Sequence, residues 1–365
     1  MKILSVVGAR PQFVKLAPID RALRDAGHEH VIVHTGQHYD PALSQVFFDD
    51  LGIAAPDLNL EVGSGSHATQ TARMLPGLED AIERHRPTWV LVYGDTNSTL
   101  AATLAAVKIH QPVAHLEAGL RSFNRRMPEE HNRVLTDHAA DLLLAPTPTA
   151  MAHLTDEGLA SRSRVVGDVM ADVLLRVRDA VRADPPVPVG ISADAVADEY
   201  FVATVHRAEN TDDPDRLQAI VDGLAALPAP VLLLAHPRLV ATAARFGIPL
   251  EQGSIVVAPP QPYPTLVALV QDARGVLTDS GGLQKEAFLL RVPCTTLRTE
   301  TEWVETVELG WNVLDGDLSA VAELATRPTP APTDAHPYGT GDAAGAVVRE
   351  LSAAADATAL ARGAA

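Results

Sequence analysis

The chain predicts an α/β protein built from two Rossmann-like, doubly wound parallel-sheet domains that face each other across a cleft. Three observations predict it. Short apolar runs alternate with amphipathic helical patterns along nearly all of the 365 residues, as repeated βα units with both sheet faces covered require. The alternation breaks once, at Asp184-Pro-Pro-Val-Pro-Val-Gly190, and then resumes; Pro and Gly at that density end a helix and make a linker. The polar residues that interrupt the apolar runs, Asp95, Glu117, His206 and Asp279-Ser280, all follow predicted strand ends. In doubly wound sheets that is the side on which ligands lie. The predicted domains span residues 1–168 and 169–340.

In the first series, Ile3–Val7, Val31–His34, Trp89–Tyr93, Pro112–His115 and Leu142–Ala145 read as strands. Helical patterns follow near Phe13–Ala26, His67–His85, Ser98–His110, Glu129–Ala139 and Pro148–Glu157. A sixth run, Ser163–Val166, leads through Gly167-Asp168-Val169 into another helix. The second series has strands at Phe201–Val205, Val231–Leu234, Ile255–Ala258, Gly275–Thr278 and Pro293–Leu297. Its helices are expected near Pro214–Ala226, Pro264–Asp272 and Gly281–Leu290. Arg327-Pro-Thr-Pro-Ala-Pro332 is irregular, and the Ala-rich stretch from Gly341 is helical.

Composition removes several classes of function. A formal net charge of −17 argues against a nucleic-acid partner, whose phosphates need a basic face. It leaves room for one small anion, because helix N-termini and local arginines can outweigh the global charge. The single cysteine, Cys294, permits no internal disulfide and points to a reducing, cytoplasmic setting. The opening strand is too short and wrongly flanked for a signal peptide. No apolar run reaches the ~18 residues of a membrane span.

The chemistry concentrates in His115–Arg133, a charged stretch between a strand and a helix. Glu117 sits at the strand end, where neither a cap nor a dipole accounts for it. Pro128 opens the helix and puts Glu129 and Glu130 in its first turn. Carboxylates sharing one pocket push some pKa values up, as general acids and bases require. Asp95, in Gly94-Asp-Thr-Asn-Ser98, either caps the next helix or serves as a third acid. His131 and His138 lie seven residues apart with no further ligand pattern, so no metal is expected.

Gly8-Ala-Arg10-Pro-Gln-Phe-Val-Lys15 is a Gly turn running into a helix N-terminus with a nearby arginine, suited to phosphate. The third Gly of a dinucleotide fingerprint is missing, and there is no Gly-Lys-Ser/Thr loop. No bound nicotinamide or ATP, and no other cofactor, is expected. His206-Arg-Ala-Glu-Asn210 and, more weakly, His236-Pro-Arg238 stand ready to meet a charged leaving group. In Asp279-Ser-Gly-Gly-Leu-Gln-Lys-Glu286, Ser280, Gly281 and Gly282 turn into a helix whose free N–H groups would face a diphosphate. Glu286, one and a half turns along, could accept from both hydroxyls of a ribose.

Together these motifs resemble the non-hydrolysing UDP-N-acetylglucosamine 2-epimerases, which share the two-domain glycosyltransferase-B architecture. The set is Gly-Gln-His at 36–38, Gly-Asp-Thr at 94–96, Glu-Ala-Gly-Leu-Arg at 117–121, Pro-Glu-Glu-His-Asn-Arg at 128–133, His-Arg at 206–207 and Asp-Ser-Gly-Gly at 279–282. The resemblance implies Asp95, Glu117, Glu129 and His206 as catalytic residues. It implies Arg10, Lys15, Arg133, His236, Gln261, Ser280, Gly281, Gly282 and Glu286 around substrate and UDP. It also implies a homodimer, and a C-terminal helix, about 341–361, packed back on the first domain. Two departures stand out. Gln37-His-Tyr-Asp-Pro-Ala-Leu43 lacks the Met common in members activated by a second UDP-N-acetylglucosamine, and Trp303 replaces a family arginine. The form is similar to a subgroup that includes epimerases of diacetamido-uronic sugars.

The implied reaction is reversible C2 epimerisation of UDP-N-acetylglucosamine to UDP-N-acetylmannosamine. The C2 proton has no neighbouring carbonyl, so anti elimination of UDP to a glycal, followed by re-addition, is the expected route. The alternatives are a related diacetamido-uronic substrate or a glycosyltransferase of the same architecture.

Overall fold

The computed structural model describes residues 1–37 and 55–363; the side chains of Arg10 and of residues 358–363, together with His38, lie outside the described part. The chain divides into two compact units. The first comprises Met1–Val173 and His336–Ala365, the second Leu174–Ala335.

The first unit carries β1 (Lys2–Val7), α1 (Arg10–Asp25), β2 (Glu29–His34), β3 (Leu58–Asn59), α2 (His67–His85), β4 (Trp89–Tyr93), α3 (Asn97–Lys108), β5 (Val113–Leu116), α4 (Pro128–Ala139), β6 (Leu142–Ala145), α5 (Pro148–Asp156) and β7 (Ser163–Val165). The chain leaves it within α6 (Val169–Ala183). The strands form one parallel sheet in the order β3-β2-β1-β4-β5-β6-β7. Strand stretches such as Val90-Leu91-Val92 and Leu142-Leu143-Leu144 are apolar at every position because helices cover both faces.

The second unit runs β8 (Phe201–Thr204), α7 (Ala208–Thr211), α8 (Pro214–Ala225), β9 (Val231–Leu234), α9 (Pro237–Phe246), β10 (Ile255–Ala258), α10 (Tyr263–Asp272), β11 (Gly275–Thr278), α11 (Gly281–Leu289), β12 (Cys294–Thr296), α12 (Val304–Glu308), β13 (Asn312–Leu314) and α13 (Val321–Ala325). Its sheet order is β10-β9-β8-β11-β12-β13, again parallel. In both sheets the order reverses beside the first strand, between β1 and β4 and between β8 and β11. Such switch points open a crevice at the strands' carboxyl ends.

The last helix, α14 (Ala343–Gly363), belongs to the first unit. Val347, Val348 and Leu351 are buried with Phe13, Leu16, Ile19 and Leu23. Burial of each large aliphatic side chain contributes about 1.5–3 kcal/mol. The Asp172 carboxylate accepts from Ala343 N at 3.0 Å and Ala344 N at 2.8 Å, satisfying N–H groups that the helix start leaves free. The Trp89 indole donates to the Leu351 carbonyl at 3.1 Å.

The two parallel α/β sheets are the fold class expected. Six of these elements were not anticipated. α9 starts on Pro237 and stops at Gly247, φ 71°. β3, α7, α12, β13 and α13 span only two, four, five, three and five residues, too short for a periodicity to register.

Candidate active site

At the first unit's switch point, Gln12 joins the two turns. Its carbonyl accepts from Gly8 N at 2.8 Å and Ala9 N at 3.1 Å, and its amide donates to Tyr93 O at 2.7 Å. Gly8 must be glycine, because a Cβ there would overlap the Ser98 and Thr35 hydroxyls. Thr96 caps α3 by accepting from Thr99 N, so Asp95 is not the capping residue and its carboxylate turns elsewhere.

Glu117 follows β5 with φ 68°, a left-handed backbone costing a non-glycine residue on the order of 1–2 kcal/mol. Its buried carboxylate forms an ion pair with the Lys15 ammonium from α1. Gly94, at φ 60°, passes so close that an added Cβ would lie 3.1 Å from Glu117 Oε2 and 3.5 Å from Lys15 Nζ. Burial pulls the Lys15 pKa down, but Glu117 above all, then Asp95 and Asp168, outweighs it, and the net shift is upward. Lys15, Glu117 and Asp95 therefore share one electrostatic neighbourhood.

Helix α4 adds the next layer. Arg133 donates through Nη2 to Asp95 Oδ2 and through Nη1 to Glu130 Oε2, both at 2.6 Å. Asn132 Nδ2 donates to the Asp95 carbonyl at 2.9 Å. The two acids of the first turn divide. Glu130 is buried and accepts from Ser122 N and Oγ, both 2.9 Å, and Phe123 N at 3.0 Å. Burial raises its pKa, but those donors and Arg133 hold it below the usual carboxylate value. Glu129 is half-buried and its carboxylate has no hydrogen-bond partner among the described residues.

In the second unit, fully buried Asp279 turns back from β11 toward the loop after β8. It accepts from His206 N at 3.0 Å, Arg207 N at 3.0 Å and Asn210 Nδ2 at 3.1 Å. His206 Nδ1 lies 2.8 Å from its Oδ1, while the imidazole is 54% exposed. A carboxylate only accepts, so Nδ1 carries the proton and Nε2 faces outward. Burial opposes the Asp279 charge, yet His206, Arg207 and Asn210 overcome it and depress the pKa.

Ser280 caps α11, accepting from Leu283 N. A Cβ on Gly281 would overlap Glu302, which Arg298 holds at 3.1 Å. A Cβ on Gly282 would meet only Ser280 Oγ, at 3.9 Å, so the helix start beside it is open. Tyr263 donates to Glu286 Oε1 at 2.9 Å. His236 caps α9 and is exposed. The Gln261 amide is tied to the backbone, donating to Val189 O and Pro259 O and accepting from Val189 N, each at 2.8 Å. Arg10's side chain lies outside the described part.

Against known proteins, the family profile described as UDP-N-acetylglucosamine 2-epimerase matches residues 21–352. The chain belongs to the UDP-N-acetylglucosamine 2-epimerase family. The UDP-2,3-diacetamido-2,3-dideoxy-D-glucuronate 2-epimerase of Pseudomonas aeruginosa is 46% identical, covering 96% of this chain and 99% of that protein. The UDP-N-acetylglucosamine 2-epimerase of Methanocaldococcus jannaschii is 39% identical over 96% of this chain and 99% of its own length. A structure of the M. jannaschii enzyme in complex with UDP-GlcNAc and UDP aligns with a TM-score of 0.80 at 38% identity, covering 97% of this chain and 100% of that one. The Neisseria meningitidis enzyme bound to UDP-GlcNAc gives 0.82 at 27% identity, with the same coverage.

Within this 2-epimerase, the structure adds residues that the sequence pattern did not single out. Gln12 looked like an ordinary polar helix residue. Asp279 stood out only as a polar residue at a strand end; Ser280 caps α11 and Asp279 orients His206. His115 read simply as a strand end, yet it is a buried histidine in an otherwise apolar strand, which requires a polar partner. His131 donates to Arg125 O at 2.9 Å, and His138 pairs with Glu157, so the two point at different partners.

Proposed function

We propose that this 2-epimerase inverts C2 of UDP-N-acetylglucosamine reversibly, giving UDP-N-acetylmannosamine. The observation that carries the reading is the group at the β1/β4 switch point: Asp95, Glu117 and Lys15 gathered there, with Glu117 held in a strained backbone. Strain is retained where surroundings over-determine it, and such places cluster at functional sites. The named complexes of the M. jannaschii and N. meningitidis relatives with UDP-GlcNAc support the substrate class.

In this reading the second unit holds UDP. The open start of α11 at Ser280-Gly281-Gly282 takes the diphosphate, Glu286 the ribose hydroxyls, and His206 Nε2 approaches the leaving oxygen. The first unit handles the sugar. One carboxylate, Asp95 first in order, removes the C2 proton; that electron pair forms C1=C2 as the C1–O bond breaks and UDP departs with its electrons. The glycal then takes UDP back at C1, and a second carboxylate, Glu117 or Glu129, supplies a proton to the opposite face of C2. Negative charge grows on the diphosphate and positive character on the ring, so fixed donors and fixed carboxylates each stabilise one end of the transition state.

A second substrate is favoured by one observation: the P. aeruginosa relative acts on a UDP-diacetamido-glucuronate and is 46% identical. Incubation with each UDP-sugar in turn, followed by proton NMR of the anomeric region, decides between them. A new anomeric signal at equilibrium with UDP-N-acetylglucosamine is the expected result. Conversion of the uronate alone would transfer the assignment, and release of free sugar plus UDP would overturn the non-hydrolysing chemistry.

A further inference from the structure

Between the turns that follow β4 and β5 lies a buried group that the mechanism above does not use. His115 and Asp137 have no exposed side-chain surface. His115 Nδ1 lies 2.6 Å from Asp137 Oδ1, and His115 Nε2 lies 2.7 Å from the carbonyl oxygen of Gly94. A carbonyl can only accept, and so can an ionised carboxylate. Both ring nitrogens must then donate, which makes His115 an imidazolium. The other carboxylate oxygen, Oδ2, receives Gly119 N at 3.0 Å and Arg121 Nη1 at 2.7 Å. Burial alone would raise the Asp137 pKa, but His115 first and then the Arg121 guanidinium outweigh it, and the net shift is downward. Arg121 is anchored in turn by Glu157, at 2.8 Å through both Nε and Nη2.

The connections bracket two of the proposed acids. His115 is two residues before Glu117 and Gly119 is two after, so one carboxylate holds the chain on both sides of the left-handed residue, by the His115 ring before it and the Gly119 N–H after it. Gly119 itself has φ 83° and packs on the Ala150 carbonyl, where a Cβ would overlap it. His153 Nδ1 donates to the Gly119 carbonyl at 2.9 Å, closing the turn from its other side. Through His115, the same carboxylate fixes the Gly94 carbonyl, hence the peptide that carries Asp95. We propose that Asp137 and a doubly protonated His115 are positioning residues, one clamp that sets both Asp95 and Glu117 for proton transfer at C2. Its kinetic consequence rests on the epimerase reading; the clamp itself does not.

Two measurements test it. The first uses the wild-type chain without substrate, labelled with ¹⁵N in its histidine rings. At neutral pH one buried histidine, absent from the His115→Asn spectrum, should show both ring nitrogens protonated. Asp137→Asn should convert that ring to a singly protonated one, since an amide can donate where the carboxylate accepted. A singly protonated His115 in the wild type overturns the clamp. The second is steady-state kinetics on Asp137→Asn, which preserves shape. Misplacement of catalytic groups by about 1 Å lowers rates ~100-fold. We expect kcat down about 10- to 100-fold, KM within about threefold and UDP affinity unchanged. A folded variant with wild-type kcat overturns the positioning role. A wild-type chain that turns over no UDP-sugar overturns the functional reading instead, and leaves the nitrogen spectrum to judge the clamp. If Asp137→Asn does not fold, that spectrum and the kcat of His115→Asn decide.

Discussion

The two units have the same strand order around their switch points, yet they place charge differently. Near the ends of β4 and β5, three carboxylates of the first unit meet cations: Asp95 with Arg133, Glu117 with Lys15, and Asp137, from α4, with His115 and Arg121. After β8 and β11, the second unit's Asp279 is sealed among backbone N–H groups, Asn210 and one half-exposed imidazole, and a Cβ on Gly282 would meet only Ser280 Oγ. One topology thus serves two ends. Ion pairs hold acids at fixed positions in the first unit, and in the proposed reading a helix start takes an anion in the second.

The largest expected effect separates the two. Asp95→Asn or Glu117→Gln should lower turnover by a factor of about 100 or more while UDP affinity, measured calorimetrically, stays near wild type. Equal losses in both would erase the division of labour. In the second unit, Glu286→Gln should show the converse: UDP binding weakened about 10- to 100-fold, as loss of hydrogen bonds to a charged group implies, with a smaller change in kcat at saturation.

Stability against pH sharpens the comparison further. Asp279 and Asp137 have depressed folded pKa values. Their contribution is complete above the ordinary carboxylate pKa of about 4 and is lost as pH falls through the lower folded values. Lys15 has a raised folded pKa; its contribution is complete below the ordinary value of about 10.4 and is lost as pH rises through the folded one. The stability profile from thermal melts should therefore fall at an acid edge, as Asp279 and Asp137 take up protons, and at an alkaline edge, as Lys15 loses its own. Asp279→Asn should flatten its acid edge, and an unchanged edge would remove Asp279 from that role. The smallest effect should come from the exposed Arg349–Asp342 pair, 66% and 67% exposed. Arg349→Ala should cost no more than about 0.5 kcal/mol in chemical denaturation. A cost of several kcal/mol would show that exposure does not set the strength of this chain's ion pairs.

Periodicity made the βα order legible because strands buried on both faces, such as Val231–Leu234, are unbroken apolar runs. The positions of Glu117 and Asp95 were legible for a related reason: a charge directly after such a run has only the crevice or solvent to face. What connects them was not. The Asp137–His115 pair joins residues 22 apart in sequence, and on an amphipathic helix Asp137 looks like any solvated acid. Likewise Glu129 and Glu130 are indistinguishable in sequence, and only the loop wrapped over Glu130 tells the structural acid from the available one. Trp303 shows the opposite limit. Its departure from the family arginine was visible, but the Lys285 ammonium 4.1 Å from its ring centroid was not, since nothing in the spacing of 285 and 303 announces the contact.

The central claim is that a carboxylate of the first unit exchanges the C2 proton while UDP is detached. The reaction run in deuterated water with UDP-N-acetylglucosamine tests it most directly. The account predicts deuterium at C2 of the epimer as it forms, and at C2 of recovered substrate as equilibrium is approached. An epimer whose C2 hydrogen is wholly retained from the substrate would contradict it.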